Sequence, residues 1–218
     1  MRITLQGPHK YIQEAGLINH LGEYALSQGK RAFLLISRGG DARFGKIIEE
    51  SFEKSGCEMV KSIFSGDINY AEIDRVTAEI INCDCQVVLG IGGGRILDTA
   101  RAAADAADKR LIIVPTTASN DAPCSAVSVI HDENGKTVEI RVVKRNPDLV
   151  LMDTEIIAAA PAKYLSAGIG DALATYYEAR ANAEREKQNN EECFSTSTAL
   201  AMSSLCRDIL FRYGAEAI

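Results

Sequence analysis

The residues best suited to chemistry lie between Gln86 and Arg101, where "QVVLGIGGGRILDTAR" runs from an apolar stretch through Gly90, Gly92, Gly93 and Gly94 into helical text. A strand that ends in glycines lets the backbone come within contact distance of a ligand, since no Cβ stands between them. A helix that begins there offers unpaired N–H groups and the positive end of its dipole to an anion, and pyrophosphate is the natural guest. The spacing departs from G-x-G-x-x-G, because Arg95 stands where the third glycine would be. The residues alone therefore leave a plain strand-to-helix turn open as the alternative.

The elements that must position this loop can be read from hydrophobic periodicity. Apolar runs of strand length cover Ala32–Ser37, Glu58–Phe64, Gln86–Gly90 and Leu111–Pro115. Between them, Lys46–Ser55 and Ala71–Ile81 put Ile47, Ile48 and Phe52, then Ile73, Val76, Ile80 and Ile81, at helical spacing. Strands alternating with amphipathic helices predict an α/β domain with a parallel sheet. After Asn120 the text changes to two β-rich runs, joined by "DENG" at Asp132–Gly135, whose Asn-Gly predicts a tight hairpin turn with positive φ values. From Thr154 alanine-rich helical text takes over, first to about Lys187 and then, past the polar break "QNNEE", to Tyr213. The expected division is residues 1–153 as a ligand-binding α/β domain and 154–218 as the first part of a helical domain.

Composition sets further bounds. The 218 residues carry a net charge of −6 with no basic stripe, which argues against a nucleic-acid partner. No run approaches the ~20 apolar residues of a membrane span, and the N-terminal text lacks the apolar stretch of a secretory signal. A cytoplasmic protein with no membrane partner is expected. The six cysteines are scattered and read as reduced thiols. Cys83-Asp-Cys85 lacks a second pair at ligand spacing, so it reads as a helix-to-strand turn and not as a metal site.

Three segments, "GIGGGRILDTAR" (90–101), "IIVPTTASNDAPCSAVSVIH" (112–131) and "APAKYLSAGIGDALATYYEAR" (160–180), together with "KYIQEAGLINHLGEY" (10–24), closely resemble the glycerol dehydrogenases of the iron-containing, metal-dependent alcohol dehydrogenase family. The resemblance implies a Rossmann-like N-terminal domain that binds NAD or NADP and an all-helical domain carrying a divalent metal, zinc or iron. It also implies a polyol substrate in the cleft between the domains, as in the dehydroquinate synthase-like architecture. A homo-oligomer is expected.

Carried over position by position, the resemblance makes Gly93, Gly94 and Arg95, with Asp98 behind them, the pyrophosphate loop. It has Thr116, Thr117 and Ser119 line the dinucleotide, and Ser125, Val127 and His131 close over its nicotinamide side. Asp121 matches the acidic contact to a substrate hydroxyl, and Asp171 the first metal ligand. Read as residues alone, Asp98 could instead favour its helix dipole, Thr116–Asn120 could be turn chemistry, and Asp171 could be an N-cap. The chemistry gives these types a reason. A divalent metal lowers the pKa of the alcohol it binds, and a second carboxylate favours a vicinal diol over a simple alcohol.

Two departures stand out. A catalytic zinc takes about three protein ligands, and the resemblance supplies only Asp171, because the family's further histidines lie downstream of Ile218. His9, His20 and His131 match none of them. The chain reads as the front part of a dehydrogenase, which keeps a catalytically inactive dinucleotide-binding protein as one alternative and a same-fold glycerol-1-phosphate dehydrogenase as another. The second departure is Ser37-Arg38, at the end of the second strand, where relatives that use NAD typically carry an aspartate at the position of Ser37. Loss of that charge, with Arg38 beside it, points to acceptance of a 2′-phosphate, and hence to NADP as well as NAD, with a solvated loop arginine as the alternative reading of Arg38.

Overall fold

Period-two alternation sorts the strand side chains onto two faces, and each face collects its own helices. The computed structural model describes residues 5–184 and 196–218. In chain order it has β1 (Tyr11–Glu14), a 3₁₀ turn (Leu17–His20), α1 (Leu21–Gln28), β2 (Arg31–Ile36), α2 (Arg38–Ser55) and β3 (Glu58–Ile63). Then come α3 (Tyr70–Asn82), β4 (Val87–Gly92), α4 (Gly94–Ala106), β5 (Arg110–Pro115) and a second 3₁₀ turn (Ala122–Cys124). The hairpin strands β6 (Val127–His131) and β7 (Thr137–Val142) precede β8 (Leu149–Asp153), α5 (Thr154–Ala159), α6 (Ala162–Glu184) and α7 (Ser197–Tyr213).

Six strands form one parallel sheet in the order β1-β8-β5-β4-β2-β3. Leu34 and Ile36 of β2 and Leu89 and Ile91 of β4 pack with Leu21 of α1 and Ile48 and Phe52 of α2. Phe33, Leu35 and Val88 point the other way, onto Val76 and Ile80 of α3 and Leu97 and Ala100 of α4. Each fully buried large side chain contributes about 1.5–3 kcal/mol. This is the Rossmann-like α/β arrangement expected from the sequence.

The differences are local. The expected strands are present within a residue or two, but β1 and β8 extend the sheet on a side that periodicity did not reveal. The hairpin is a separate two-stranded sheet. Its turn is not an Asn-Gly turn with two positive φ values: among the described residues of this turn only Gly135 has one, at φ 76. Asp132 closes the loop instead, its carboxylate accepting the N–H groups of Asn134 and Lys136, both at 2.9 Å. Cys83-Asp-Cys85 does form the turn between α3 and β4.

Contacts divide the chain into two compact units, one of Gly7–Thr117 with Ala122–Ala160, the other containing Ala118–Asp121 and Pro161–Ile218. The helical text starting at Thr154 thus begins inside the sheet unit, because Ile156 of α5 joins its core. Asp153, fully buried, caps α5 through the N–H of Glu155 and also accepts the N–H of Gly16 and Ile18, so this acid pins the N-terminal segment to the end of β8. In the second unit α6 has no buried residue, and Tyr177, Met202, Leu205 and Phe211 are exposed. The break "QNNEE" lies outside the described residues. Among the described residues no helix is long and apolar enough to cross a membrane.

Candidate functional site

Ile36 of β2 lies opposite Ile91 of β4, so Ser37 and Gly92 come side by side at the carboxyl end of the sheet. From β2 the chain moves outward to β3, then returns to the other side of β2 for β4 and β5. Such a reversal opens a crevice between the segments leaving the two central strands, which is where open α/β sheets bind ligands.

The glycines at this crevice have separate tasks. A Cβ on Gly90 would sit 2.7 Å from the Cβ of Ala100, so this glycine lets α4 press onto β4. Gly92 has φ 155, and its Cβ would meet Ile96 Cδ1 at 2.5 Å. Gly93 is different: it is extended, at φ −88, and a Cβ there would find only Thr117 Oγ1, at 3.8 Å. The space beside Gly93 is open. It adjoins the first turn of α4, which begins at Gly94 and has no side-chain cap. Backbone N–H groups at such a turn have no partner within their helix and suit a phosphate.

Arg95 is exposed in this turn and pairs with Asp67 at 2.9 Å. Exposed pairs of this kind are weak, so the guanidinium can turn to an incoming anion at little cost. Thr116 and Thr117 follow β5, and the Thr116 N–H donates to the Gly92 carbonyl at 3.0 Å, which holds the two strand ends together. Ser37 caps α2 by accepting the Gly40 N–H at 3.0 Å, and Arg38, the first residue of that helix, is exposed. Ser37, Arg38, Gly93, Gly94, Arg95, Thr116 and Thr117 are thereby brought to one end of the sheet.

Asp98 is held elsewhere. It is buried, one oxygen accepting from Arg101 and the other from the Val129 N–H at 3.1 Å, while the Ser128 hydroxyl donates to its carbonyl. Arg101, only 1% exposed, also donates to the carbonyls of Val127 and Ala122. This network fastens the hairpin to α4. It turns Ser128 and Ile130 inward, and strand alternation puts the half-buried Val127 on the opposite side of β6, while the register shifts between Ile130 and His131, which is half-buried as well. The Ser125 hydroxyl lies 3.2 Å from the Val127 carbonyl, within the turn leading into β6.

Ser119, Asp121 and Asp171 belong to the second unit. Asp171 lies well inside α6 and is exposed, so it is not a helix cap. A Cβ on Gly168 would stand 2.1 Å from the Ala118 carbonyl oxygen and 3.3 Å from Ser119 Cα. The segment Ala118–Asp121 therefore rests on the face of α6 that also carries Asp171 one turn later. Among the described residues no three His, Cys, Asp or Glu gather as a metal's donor set.

The profile described as iron-containing alcohol dehydrogenase matches residues 8–154. The chain belongs to that family. It is 44% identical over 208 residues to a glycerol dehydrogenase of Thermotoga maritima, covering 95% of this chain and 56% of the relative. It is 40% identical over 214 residues to a glycerol dehydrogenase of Escherichia coli O6:H1, covering 98% and 58%. The crystal structure of a probable glycerol dehydrogenase from Sinorhizobium meliloti 1021 superposes with a TM-score of 0.92 at 38% identity, covering 99% of this chain and 59% of that one. The chain thus spans less than two thirds of the length of these relatives.

Sequence reasoning missed Arg101. A run of "DTARAAADA" gives no sign that its arginine is internal, because arginine is seldom fully buried. The available signal was Asp98 three residues before it, an i, i+3 spacing that puts both side chains on one helix face.

Proposed function

We propose that this chain carries the nicotinamide-dinucleotide-binding part of a dehydrogenase that oxidises glycerol or a related vicinal diol to the hydroxyketone. The observation that carries this reading is the open space at Gly93, bounded by Thr117 and by the uncapped first turn of α4. In this reading a pyrophosphate lies there, held by the N–H groups of Gly94 and Arg95 with the Arg95 guanidinium beside it. Ser37 and Arg38, at the neighbouring strand end, would meet the adenosine ribose. When bound, the dinucleotide accepts the hydride released by the alcohol carbon.

In this reading Thr116, Thr117 and Ser119 orient the dinucleotide, and Ser125, Val127 and His131 bound its nicotinamide side. Asp121 accepts a hydrogen bond from a substrate hydroxyl, which selects polyols because a simple alcohol leaves that acceptor unused. Asp171 would offer one oxygen to a zinc or iron ion. The described residues do not supply the other donors such an ion needs, so the metal is not accommodated by these residues alone. The second reading is a dinucleotide-binding protein without turnover.

Titration calorimetry of the full 218-residue chain with NAD and NADP tests the shared premise, and saturable binding of at least one is expected. Absence of binding to folded protein would remove both readings. Dinucleotide reduction with glycerol or 1,2-propanediol then separates them, measured with zinc on this chain and on a version extended with the C-terminal part of the Thermotoga maritima relative. Turnover in the extended version supports the dehydrogenase; binding without turnover in either supports the second reading.

A further inference from the structure

The turn between α3 and β4 brings two thiols into contact. Cys83 ends α3, its N–H donating to the Glu79 carbonyl at 3.0 Å, and Cys85 lies just before β4. Between them Asp84 takes φ 51, in the left-handed region where aspartate is tolerated, so the chain doubles back. The result is a Cys83 Sγ to Cys85 Sγ separation of 2.7 Å. The turn is fastened on both sides: Gln86 donates to the Asp84 carbonyl at 2.8 Å and accepts the Arg31 N–H at 2.9 Å. It lies at the amino end of β4, a full strand away from Gly93, and nothing in the reading above uses it.

The two residues differ in burial. Cys83 is half-buried, whereas Cys85 is wholly enclosed in the core beneath α3 and α4. We propose that Cys83 and Cys85 form a reversible dithiol–disulfide site, oxidised by a hydroperoxide at Cys83 and resolved by Cys85. In the first step the Cys83 sulfur attacks the peroxide O–O bond; sulfur gives up two electrons, a sulfenic acid forms, and the distal oxygen leaves as water or an alcohol. In the second, the Cys85 sulfur attacks the Cys83 sulfur, the S–S bond forms, and the hydroxyl leaves as water with the Cys85 proton. A dithiol reductant returns two electrons and two protons and restores both thiols.

The geometry supports this order. Cys83 is the less buried of the two residues, and thiol oxidation follows exposure. Burial, and then the neighbouring Cys83, push the Cys85 thiol up, which makes it the poorer nucleophile of the two and leaves the first attack to Cys83. Closing the bond moves the sulfurs by less than an ångström towards the ~2.05 Å of a disulfide. The ring encloses a single residue, so it constrains the unfolded chain little, and the bond should yield to mild reductants.

The test uses the full 218-residue chain, treated with hydrogen peroxide, denatured in iodoacetamide, and analysed by intact mass and peptide mapping. The expected result is loss of two hydrogen atoms from the peptide carrying Cys83 and Cys85, both escaping alkylation together, with reversal by dithiothreitol. Cys85→Ser should leave a sulfenic acid on Cys83 that dimedone traps, and Cys83→Ser should leave Cys85 alkylatable after the same treatment. The proposal is overturned if Cys83 in the unaltered chain proceeds to sulfinic acid while Cys85 stays alkylatable. Pairing of either thiol with another cysteine, or survival of both thiols in peroxide that oxidises a free cysteine peptide, also overturns it.

Discussion

Gly168 lies so close to Ala118 that a Cβ on the glycine would stand 2.1 Å from the alanine's carbonyl oxygen. The obstacle is backbone, which cannot rotate away, so α6 reaches the Ala118–Asp121 segment only because position 168 has no side chain. Gly168→Ala gains helix propensity yet should cost about 1–3 kcal/mol through overpacking. Hydrogen exchange resolved by peptide should show loss of protection in α6 and residues 118–121, with β2 to β5 unaffected. Unchanged protection in α6 would show that the helix does not depend on this approach.

The glycines of the β4–α4 turn predict opposite outcomes. Gly92→Ala places a Cβ at φ 155 and 2.5 Å from Ile96, so it should lower the thermal midpoint. Gly93→Val meets no such obstacle. It should leave the midpoint nearly unchanged while abolishing binding of NAD and NADP, because its side chain fills the space assigned to the pyrophosphate. Calorimetry with an intact Gly93→Val protein that still binds would place the dinucleotide elsewhere.

Much of the fold was legible because β2, β4 and β5 are apolar runs buried on both faces, a pattern that surface segments do not imitate. β1 was not, since Tyr11–Glu14 is an edge strand with little buried area and a mostly polar sequence. β8 was hidden by its abrupt passage into α5, where one residue, Asp153, both ends the strand and caps the helix. At the site, the glycines and threonines could be placed from strand ends alone. The work of Asp98 could not, because its partners Arg101 and Val129 depend on how the hairpin folds back onto α4.

Glu72 should shape the acid side of the stability curve. Its side chain is 4% exposed and bonds Arg75 at 2.6 and 2.8 Å and the Ser65 N–H at 2.9 Å. Burial alone would raise its pKa, but the Arg75 hydrogen bonds and the Ser65 N–H outweigh it and hold the carboxyl below the usual range. With the folded value below the unfolded one, the stabilisation is complete above about pH 4.3 and is lost as pH falls through the folded value. Glu72→Gln should therefore destabilise the protein at neutral pH, with the difference narrowing below about pH 4. Urea midpoints across this range would measure it, and a constant difference would contradict the assignment.

Arg101 is expected to be the costliest polar residue to remove. Arg101→Met keeps much of the side chain's bulk but leaves the buried Asp98 carboxylate without its arginine and loosens the Val127 and Ala122 carbonyls. Breaking a buried pair by removing one partner typically costs about 3–5 kcal/mol. Urea denaturation should show a loss of this order. Exchange should rise in β6 and β7 before the parallel sheet is affected, and a loss under about 1 kcal/mol would mean the network is dispensable.

Cofactor choice should turn on the end of β2. No acid stands there: Ser37 is committed to capping α2 through the Gly40 N–H, and Arg38, next to it, is exposed. A 2′-phosphate would meet no repulsion, and Arg38 can pair with it through two parallel N–H···O bonds. NADP should accordingly bind at least as tightly as NAD. Arg38→Ala should weaken NADP by about 1.5–3 kcal/mol, the range of a hydrogen bond to a charged group, with little effect on NAD. Ser37→Asp should reverse the preference while preserving the helix cap, since aspartate caps as well as serine does. Calorimetric titrations of the three proteins with both dinucleotides provide the measurement. Equal weakening of NAD and NADP by Arg38→Ala would give the arginine a general electrostatic part and remove the basis for NADP selectivity.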